Sequence, residues 1–299
     1  MADRVLLPNF FILGAAKSGT TSLFDILSEH PQVFASPKKE TRFFSDDENY
    51  QRGWEWYGET YFSGAAGYPV RMEATPTYLT WSEKTSQRLH DEYPLRELKF
   101  AVIFRDPVQR AYSHYWHRVR MGHEQLSFKE ALLAEQERLT AHFQELARSG
   151  NGKYGYYRAG CYATMLKPYL EKFDREQFFF MLLEDIKGDS FQDRMKDLHT
   201  FLNLEQVADL SPHQSNQALM PRSSWIRSIY RGLKKTPIQA IYHRIIKKKA
   251  RSWVYSFLFP TFSAPPLDPE IASQLRSRFA GEILELEQLI GRDLSKWMR

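Results

Sequence analysis

The chain predicts a single α/β domain, a parallel sheet covered by helices on both faces. Three observations lead there. Short apolar runs of strand length recur along the chain. Longer stretches with helical periodicity separate them. At 299 residues, 42% hydrophobic and 26% charged, the chain is long enough for one large core. Strands alternating with helices bury both faces of a parallel sheet, and the strands then read as near-continuous apolar runs.

The first such run is Asn9-Phe-Phe-Ile-Leu13, followed by the loop Gly14-Ala-Ala-Lys-Ser-Gly19. A helix is predicted from about Thr20 to His30, with Leu23, Ile26 and Leu27 at helical spacing and Pro31 as its stop. Val70-Arg-Met-Glu73, Lys99-Phe-Ala-Val-Ile-Phe104 and Gln177-Phe-Phe-Phe-Met-Leu-Leu183 are three further strand candidates. Asp106-Pro107 opens a helix, with Asp as N-cap and Pro at the first position. The pair Ser127 and Glu130 has capping-box spacing and predicts one helix to about Ser149. Gly150 to Gly155 reads as a loop, with helices expected near 160–172 and 190–203. Asp268-Pro269 opens a last helix carrying Ile271, Leu275, Phe279, Ile283, Leu286 and Ile290 on one face, with Gly291 at its end. Ligands of such sheets bind beyond the carboxyl ends of the strands, so the chemistry is expected in the loops after residues 13 and 104.

Composition limits the setting. Cys161 is the only cysteine, which excludes an internal disulfide and points to a reducing, cytoplasmic compartment. It reads as a small packing residue rather than a catalytic thiol. The first residues carry no recognisable signal peptide, and no apolar run reaches the ~18–20 residues of a membrane span. Net charge is +5, and it is segregated: from 210 to 267 there is no acidic residue but ten Lys and Arg, among them Arg222, Lys247, Lys248, Lys249 and Arg251. Aromatic and aliphatic residues are interleaved with them. This basic, helical segment suits an anionic partner, and residues 222–251 are expected to make peripheral membrane contact. No nucleic-acid reading motif accompanies it.

The loop Gly14-Ala-Ala-Lys17-Ser18-Gly19-Thr20-Thr21-Ser22 is P-loop-like. Small residues let the backbone approach an anion, while helix-start amides, the helix dipole and the hydroxyls attract phosphate. It departs from the nucleotide-triphosphatase loop, in which Gly-Lys-Ser/Thr closes the motif. Here Lys17 precedes Gly19, and the strand ending at Phe104 leads into Arg105 rather than into an Asp that could hold magnesium. An arginine there grips phosphate bidentately and offers no metal ligand. A phosphate-bearing donor handled without a metal is expected; the alternative is a kinase or triphosphatase using the same element for ATP.

These residues carry a resemblance. Lys17-Ser-Gly-Thr-Thr-Ser22 resembles the 5′-phosphosulfate loop of sulfotransferases that use 3′-phosphoadenosine 5′-phosphosulfate (PAPS). Arg105-Asp-Pro-Val-Gln-Arg110-Ala-Tyr-Ser113 resembles their 3′-phosphate motif. In style the chain is closest to the heparan sulfate sulfotransferase branch and its soluble bacterial relatives. The resemblance implies sulfuryl transfer from PAPS to a hydroxyl-bearing acceptor, leaving PAP (3′-phosphoadenosine 5′-phosphate). It implies that Lys17 contacts the leaving-group side, that Ser18, Gly19, Thr20, Thr21 and Ser22 form the loop around the 5′-phosphate, and that Arg105 and Ser113 clamp the 3′-phosphate. Arg222 is placed as a late basic contact to the donor. Glu40, in Lys39-Glu40-Thr-Arg42-Phe-Phe44, falls on the position of the catalytic base, with Arg42 near the acceptor. Glu73-Ala74-Thr75-Pro76 resembles a second acceptor-side segment, but Ala74 replaces its lysine. Glu73 is then either an assistant to Glu40 or a buried structural partner. His114 and His117 are expected to have surface or packing roles. A carbohydrate is the favoured acceptor, with an anionic glycan or a lipid-linked hydroxyl within the same expectation.

Overall fold

The computed structural model describes residues 5–93, 97–150, 152–207 and 262–299. Its centre is one sheet of β1 (Phe10–Gly14), β2 (Val33–Ala35), β3 (Val70–Ala74), β4 (Lys99–Phe104) and β5 (Phe178–Leu182). The strand order is β2-β3-β1-β4-β5, with every neighbouring pair parallel. The four strands expected from the sequence are present within a residue or two. The short β2 at the edge was not anticipated, because three residues, Val-Phe-Ala, carry too little pattern to distinguish a strand from a turn.

Alternation along each strand sorts the side chains between two cores. Phe11 and Leu13 of β1 and Phe100, Val102 and Phe104 of β4 enter one core; Phe10, Ile12, Ala101 and Ile103 enter the other. On the first face lie α2 (Pro107–Arg120), α3 (Tyr162–Leu170) and α5 (Pro269–Ile290), through Val108, Ala111, Leu166, Tyr169, Phe279 and Ile283. On the second lie α1 (Thr20–Ser28) and α4 (Phe191–Leu202), through Leu23, Leu27, Met195 and Leu198. The helix starts follow their caps. Asp106 accepts from the amides of Val108 and Gln109, and Asp268 from those of Glu270 and Ile271.

The chain therefore leaves β1 in one direction across the sheet toward β2 and β3, and continues in the other through β4 and β5. The strand order turns at β1, so a crevice opens at its carboxyl end, between the loops that follow β1 and β4.

One expected helix is divided. The Ser127–Glu130 capping box is formed, but the chain to Ser149 makes three short helices, Phe128–Leu133, Glu135–Ala141 and Phe143–Ser149, turning at Ala134 and His142. The division has a tertiary cause. The first turn brings Glu135 inward, where its carboxylate accepts from the amides of Tyr157 and Arg158 at 2.7 and 2.8 Å. Arg138 and the Tyr156 hydroxyl meet the buried carboxylate of Glu124 at 2.7 and 2.8 Å. No Gly or Pro marks these turns locally. Gly150 ends the last of the three helices at φ 57°, where a Cβ would stand 2.5 Å from the Ser45 carbonyl carbon. The 150s loop is thereby pressed against the chain that follows β2. No helix among the described residues is long and apolar enough to cross a membrane.

Beneath the second face, the chain leaving α1 is tied to α4. His30 and His199 are 2% and 1% exposed, with ring centroids 5.0 Å apart. The His30 Nδ1 accepts from the Gln32 amide, so its Nε2–H is the donor to the Glu205 carbonyl. Burial, and then His30, hold the His199 imidazole below the usual histidine range. The unfolded chain takes up a proton there near pH 6.5, and the folded chain resists it. Stability present above that pH is therefore lost as pH falls. Urea midpoints at about pH 7.5 and about pH 5.5 should show a loss on the acid side, and H199L should make it smaller. An unchanged difference in H199L would remove the pair from the acid response.

Candidate active site

The loop after β1 is built to receive an anion. The Ala15 amide donates to the Ile103 carbonyl at 2.8 Å, locking the loop to β4. Lys17 then takes the left-handed conformation at φ 72°, and Gly19 caps α1 at φ 98°. A side chain at Gly19 would be strained by that φ, and its Cβ would stand 2.8 Å from Leu183 Cδ1. With glycine as N-cap, no side chain occupies the helix start. The first α-helical bond runs from the Leu23 amide to the Gly19 carbonyl, which leaves the amides of Thr20, Thr21 and Ser22 to an outside acceptor. Ser18 is fully buried, with its hydroxyl at that of Tyr162. Helix-start amides open to an outside acceptor suit an anion, so an anion fits this loop.

Arg105 follows β4 and enters the same crevice. Its Nη1 donates to the Lys17 carbonyl at 3.3 Å, and its own carbonyl accepts from the Tyr162 hydroxyl at 2.9 Å. Burial lowers its pKa, within the range where a guanidinium stays charged. Asp106 is occupied in capping α2, so the guanidinium remains directed to the crevice rather than to its neighbour. Ser113 lies two turns into α2 and is half-buried.

The loop after β2 supplies the opposite wall. The Glu40 amide donates to the Ala74 carbonyl at the end of β3, at 3.0 Å, and the Arg42 amide to Thr75 Oγ1 at 3.3 Å. Glu40 and Arg42 have φ values of 63° and 57°. Three of the five non-glycine residues with positive φ among the described residues, Lys17, Glu40 and Arg42, thus lie at this one place. Such conformations cost ~1–3 kcal/mol each and persist where the surroundings enforce them, often at functional sites. The Glu40 carboxylate is half-exposed and pairs with Lys39 at 3.1 Å.

Lys17 is the electrostatic centre. Burial pushes its pKa down to about 8, helped by repulsion from Arg120, Arg105 and Lys39 and opposed by Glu40. Lys17 and Glu40, read separately from two motifs, are therefore within electrostatic reach of each other. The same neighbourhood contains His117, pushed down to about 4 by burial and then by Lys17, Arg120 and Arg118. His117 is neutral at pH 7 and half-buried, with Lys17 and Glu40 among its charged neighbours. His114, by contrast, is buried, and burial followed by Arg110 holds it well below the usual range. The helical phase of Ser113, His117 and Arg120, at spacings of four and three, was the available signal for His117 and Arg120.

The other expectations divide clearly. Glu73 is fully buried, its Oε1 accepting from Thr75 Oγ1 at 2.5 Å and its Oε2 from the Tyr57 hydroxyl at 3.4 Å. Burial raises its pKa. It is a structural partner of the segments after β2 and β3 and has no open path to an acceptor. Ala74 is buried and contributes only its carbonyl. Cys161 donates to the Tyr157 carbonyl at 3.8 Å, and burial pushes its thiol up to about 12, which makes it inert at neutral pH. Arg222 and nearly all of the basic segment lie outside the described residues. Among the described residues no group of three or more His, Cys, Asp and Glu could hold a metal ion.

Comparison with known proteins bears on the family and the fold. Residues 7–286 match the sulfotransferase domain family. The crystal structure of a sulfotransferase from Alicyclobacillus acidocaldarius superimposes with a TM-score of 0.70 at 32% identity, covering 99% of this chain and 100% of that one. The membrane-associated sulfotransferase kil1 of Dictyostelium discoideum is 37% identical over 111 residues, covering 36% of this chain and 22% of kil1. Heparan sulfate glucosamine 3-O-sulfotransferase 5 of Mus musculus is 33% identical over 175 residues, covering 58% of this chain and 46% of the mouse enzyme. The chain thus spans less than half the length of these two curated relatives. With the family match running from β1 through most of α5, the chain belongs to the sulfotransferase domain family.

Proposed function

We propose that this sulfotransferase takes the sulfuryl group from PAPS and passes it to a carbohydrate hydroxyl, with Glu40 as the base. The observation that carries the reading is the convergence of Lys17, Glu40 and Arg105 from the ends of three strands on one crevice. The amides of Thr20, Thr21 and Ser22 and their hydroxyls hold the 5′-phosphate, with Ser18 and Gly19 shaping the loop beneath it. Arg105 and Ser113 hold the 3′-phosphate, which the product PAP retains. Arg222 joins them in this reading.

The acceptor oxygen attacks sulfur in line with the bridging oxygen of the phosphosulfate. An oxygen–sulfur bond forms to the acceptor as the sulfur–oxygen bond to the 5′-phosphate breaks. The acceptor proton passes to the Glu40 carboxylate, and the bond electrons leave with PAP. Negative charge grows on the departing oxygen, where the Lys17 ammonium stabilises it. No metal enters this scheme, because the cations are supplied by side chains.

The carbohydrate reading is supported by the likeness to an enzyme named for a heparan sulfate glucosamine. An anionic glycan or a lipid-linked acceptor falls within it. A cytoplasmic setting, with residues 222–251 making peripheral contact with an anionic membrane, completes the proposal.

K17A is expected to abolish transfer while the protein stays folded, since loss of one such stabiliser costs ~3–4 kcal/mol of barrier. Near-normal turnover by a folded K17A would take Lys17 out of the reaction. R105A should weaken PAP by the ~1.5–3 kcal/mol of a charge-assisted bond, with S113A acting in the same direction but less. Calorimetry showing unchanged PAP affinity in R105A would remove the clamp. E40Q should keep donor binding and lose roughly 10²–10⁴-fold in turnover, because an amide cannot take the proton. Retained turnover would place the base elsewhere. Replacing Lys247, Lys248 and Lys249 together by Gln should reduce sedimentation with anionic vesicles at low salt, each charge contributing ~1 kcal/mol. An unmodified protein that stays in the supernatant rules out the membrane contact.

A further inference from the structure

The loop that carries Glu40 is held from the end of β3, by side chains as well as by backbone. Three of its amides, at alternating residues, find their acceptors there. The Glu40 amide donates to the Ala74 carbonyl at 3.0 Å, the Arg42 amide to Thr75 Oγ1 at 3.3 Å, and the Phe44 amide to the Tyr78 hydroxyl oxygen at 3.3 Å. The first acceptor is backbone and does not depend on the side chain at 74. The other two exist only because these residues are Thr and Tyr. Thr75 and Tyr78 are 1% and 0% exposed, so neither can touch a substrate.

A hydroxyl accepts from an amide while its own hydrogen points elsewhere. At Thr75 that hydrogen goes to Glu73 Oε1 at 2.5 Å, and Glu73 Oε2 accepts from the Tyr57 hydroxyl at 3.4 Å. Glu73 thus sets the direction of the Thr75 hydroxyl and leaves its lone pair for the Arg42 amide. Beyond Arg42 the chain is anchored in the core. Phe43 and Phe44 are fully buried, with the Phe43 ring stacked on Tyr57 at 4.0 Å and Phe44 edge-on to Tyr78 at 5.5 Å. Glu40 and Arg42, at φ 63° and 57°, lie just before this anchor. Non-glycine residues keep that conformation only where their surroundings enforce it. The Ala74 carbonyl supplies one such contact at Glu40, and the Thr75 hydroxyl supplies another at Arg42.

We propose that Thr75 is a positioning residue for Glu40: its buried hydroxyl, oriented by Glu73, holds the Arg42 amide and with it the left-handed turn that sets the direction of the Glu40 carboxylate. Tyr78 is a second hold of the same kind, at Phe44. The inference rests on the reading of Glu40 as the base. The donor side does not depend on it, because the loop after β1 and Arg105 are tied by bonds of their own. Loss of the Thr75 hydroxyl therefore releases the base and spares the donor.

The test uses T75V, which keeps the branched shape and removes the hydroxyl. Deuterium exchange should quicken in a peptide spanning residues 40–44 and stay unchanged in the loop after β1. Calorimetry should give PAP the same affinity as in the unmodified protein. Turnover, read as PAP released from PAPS with heparan sulfate as acceptor, should fall by roughly 10–100-fold, the effect of a small misplacement at a reacting centre. T75S restores the hydroxyl and should return exchange and turnover close to their original values. In E40Q, where the base is already gone, adding T75V should lower turnover little further. Y78F should show the same pattern, with exchange quickened at Phe44, and serves if T75V does not fold. Unchanged exchange or full turnover in these folded variants overturns the proposal. So does a weakened PAP affinity, or a loss in T75V that multiplies with that of E40Q, as a merely structural residue would give. Retained turnover in E40Q would instead overturn the base reading beneath the proposal, and no turnover in the unmodified protein would overturn the carbohydrate reading.

Discussion

The parallel pairing of β1 with β4 is the constraint on which the rest of the structure depends. It aligns Phe10 with Lys99 and Ile12 with Ala101, and the two chains leave the sheet side by side. Two hydrogen bonds extend the pairing past the strands: the Ala15 amide to the Ile103 carbonyl, and Arg105 Nη1 to the Lys17 carbonyl. The loop after β1 and the arginine that follows β4 are therefore tied to each other. A loop in which Lys17 takes a left-handed backbone conformation carries strain of its own. Here strands with fully buried side chains on both faces hold it in place.

The charges follow from that geometry. Lys17 is buried near the charges of Arg120, Arg105, Glu40 and Lys39, and Lys17, Glu40 and Arg42 all take left-handed backbone conformations. Like charges placed close together repel, and a bound anion relieves such repulsion. The neutral state of His117 follows first from burial and then from the positive charges of Lys17 and Arg120. Glu73 shows the opposite use of a carboxylate. Enclosed by Tyr57, Thr75 and neighbouring hydroxyls, it fixes the segment that carries Glu40 without reaching the crevice itself. Two glutamates near in the fold thus differ in access to solvent.

The sequence made the architecture readable because a parallel sheet writes long apolar runs, and Asp106-Pro107 and Asp268-Pro269 mark helix starts by local chemistry alone. Lys17 and Arg105 could be placed at strand ends from the sequence, whereas Glu40 was expected only through the family resemblance, because β2 was not anticipated. The division of the helix after Ser127 was hidden, since its cause is the distant pair of amides at Tyr157 and Arg158. His117 was harder to find for a similar reason: helical spacing puts it on the face of Ser113, but its nearness to the Lys17 charge emerges only in the fold. Glu73 could be read as a base or as a buried partner until its solvent access was known.

The central claim is that the crevice between the β1 and β4 loops is the donor site of a sulfotransferase. A crystal structure of the PAP complex tests it most directly. The account predicts the 5′-phosphate at the amides of Thr20, Thr21 and Ser22 with Lys17 beside it, and the 3′-phosphate between Arg105 and Ser113. PAP bound outside that crevice, or bound there with its two phosphates exchanged, would contradict it.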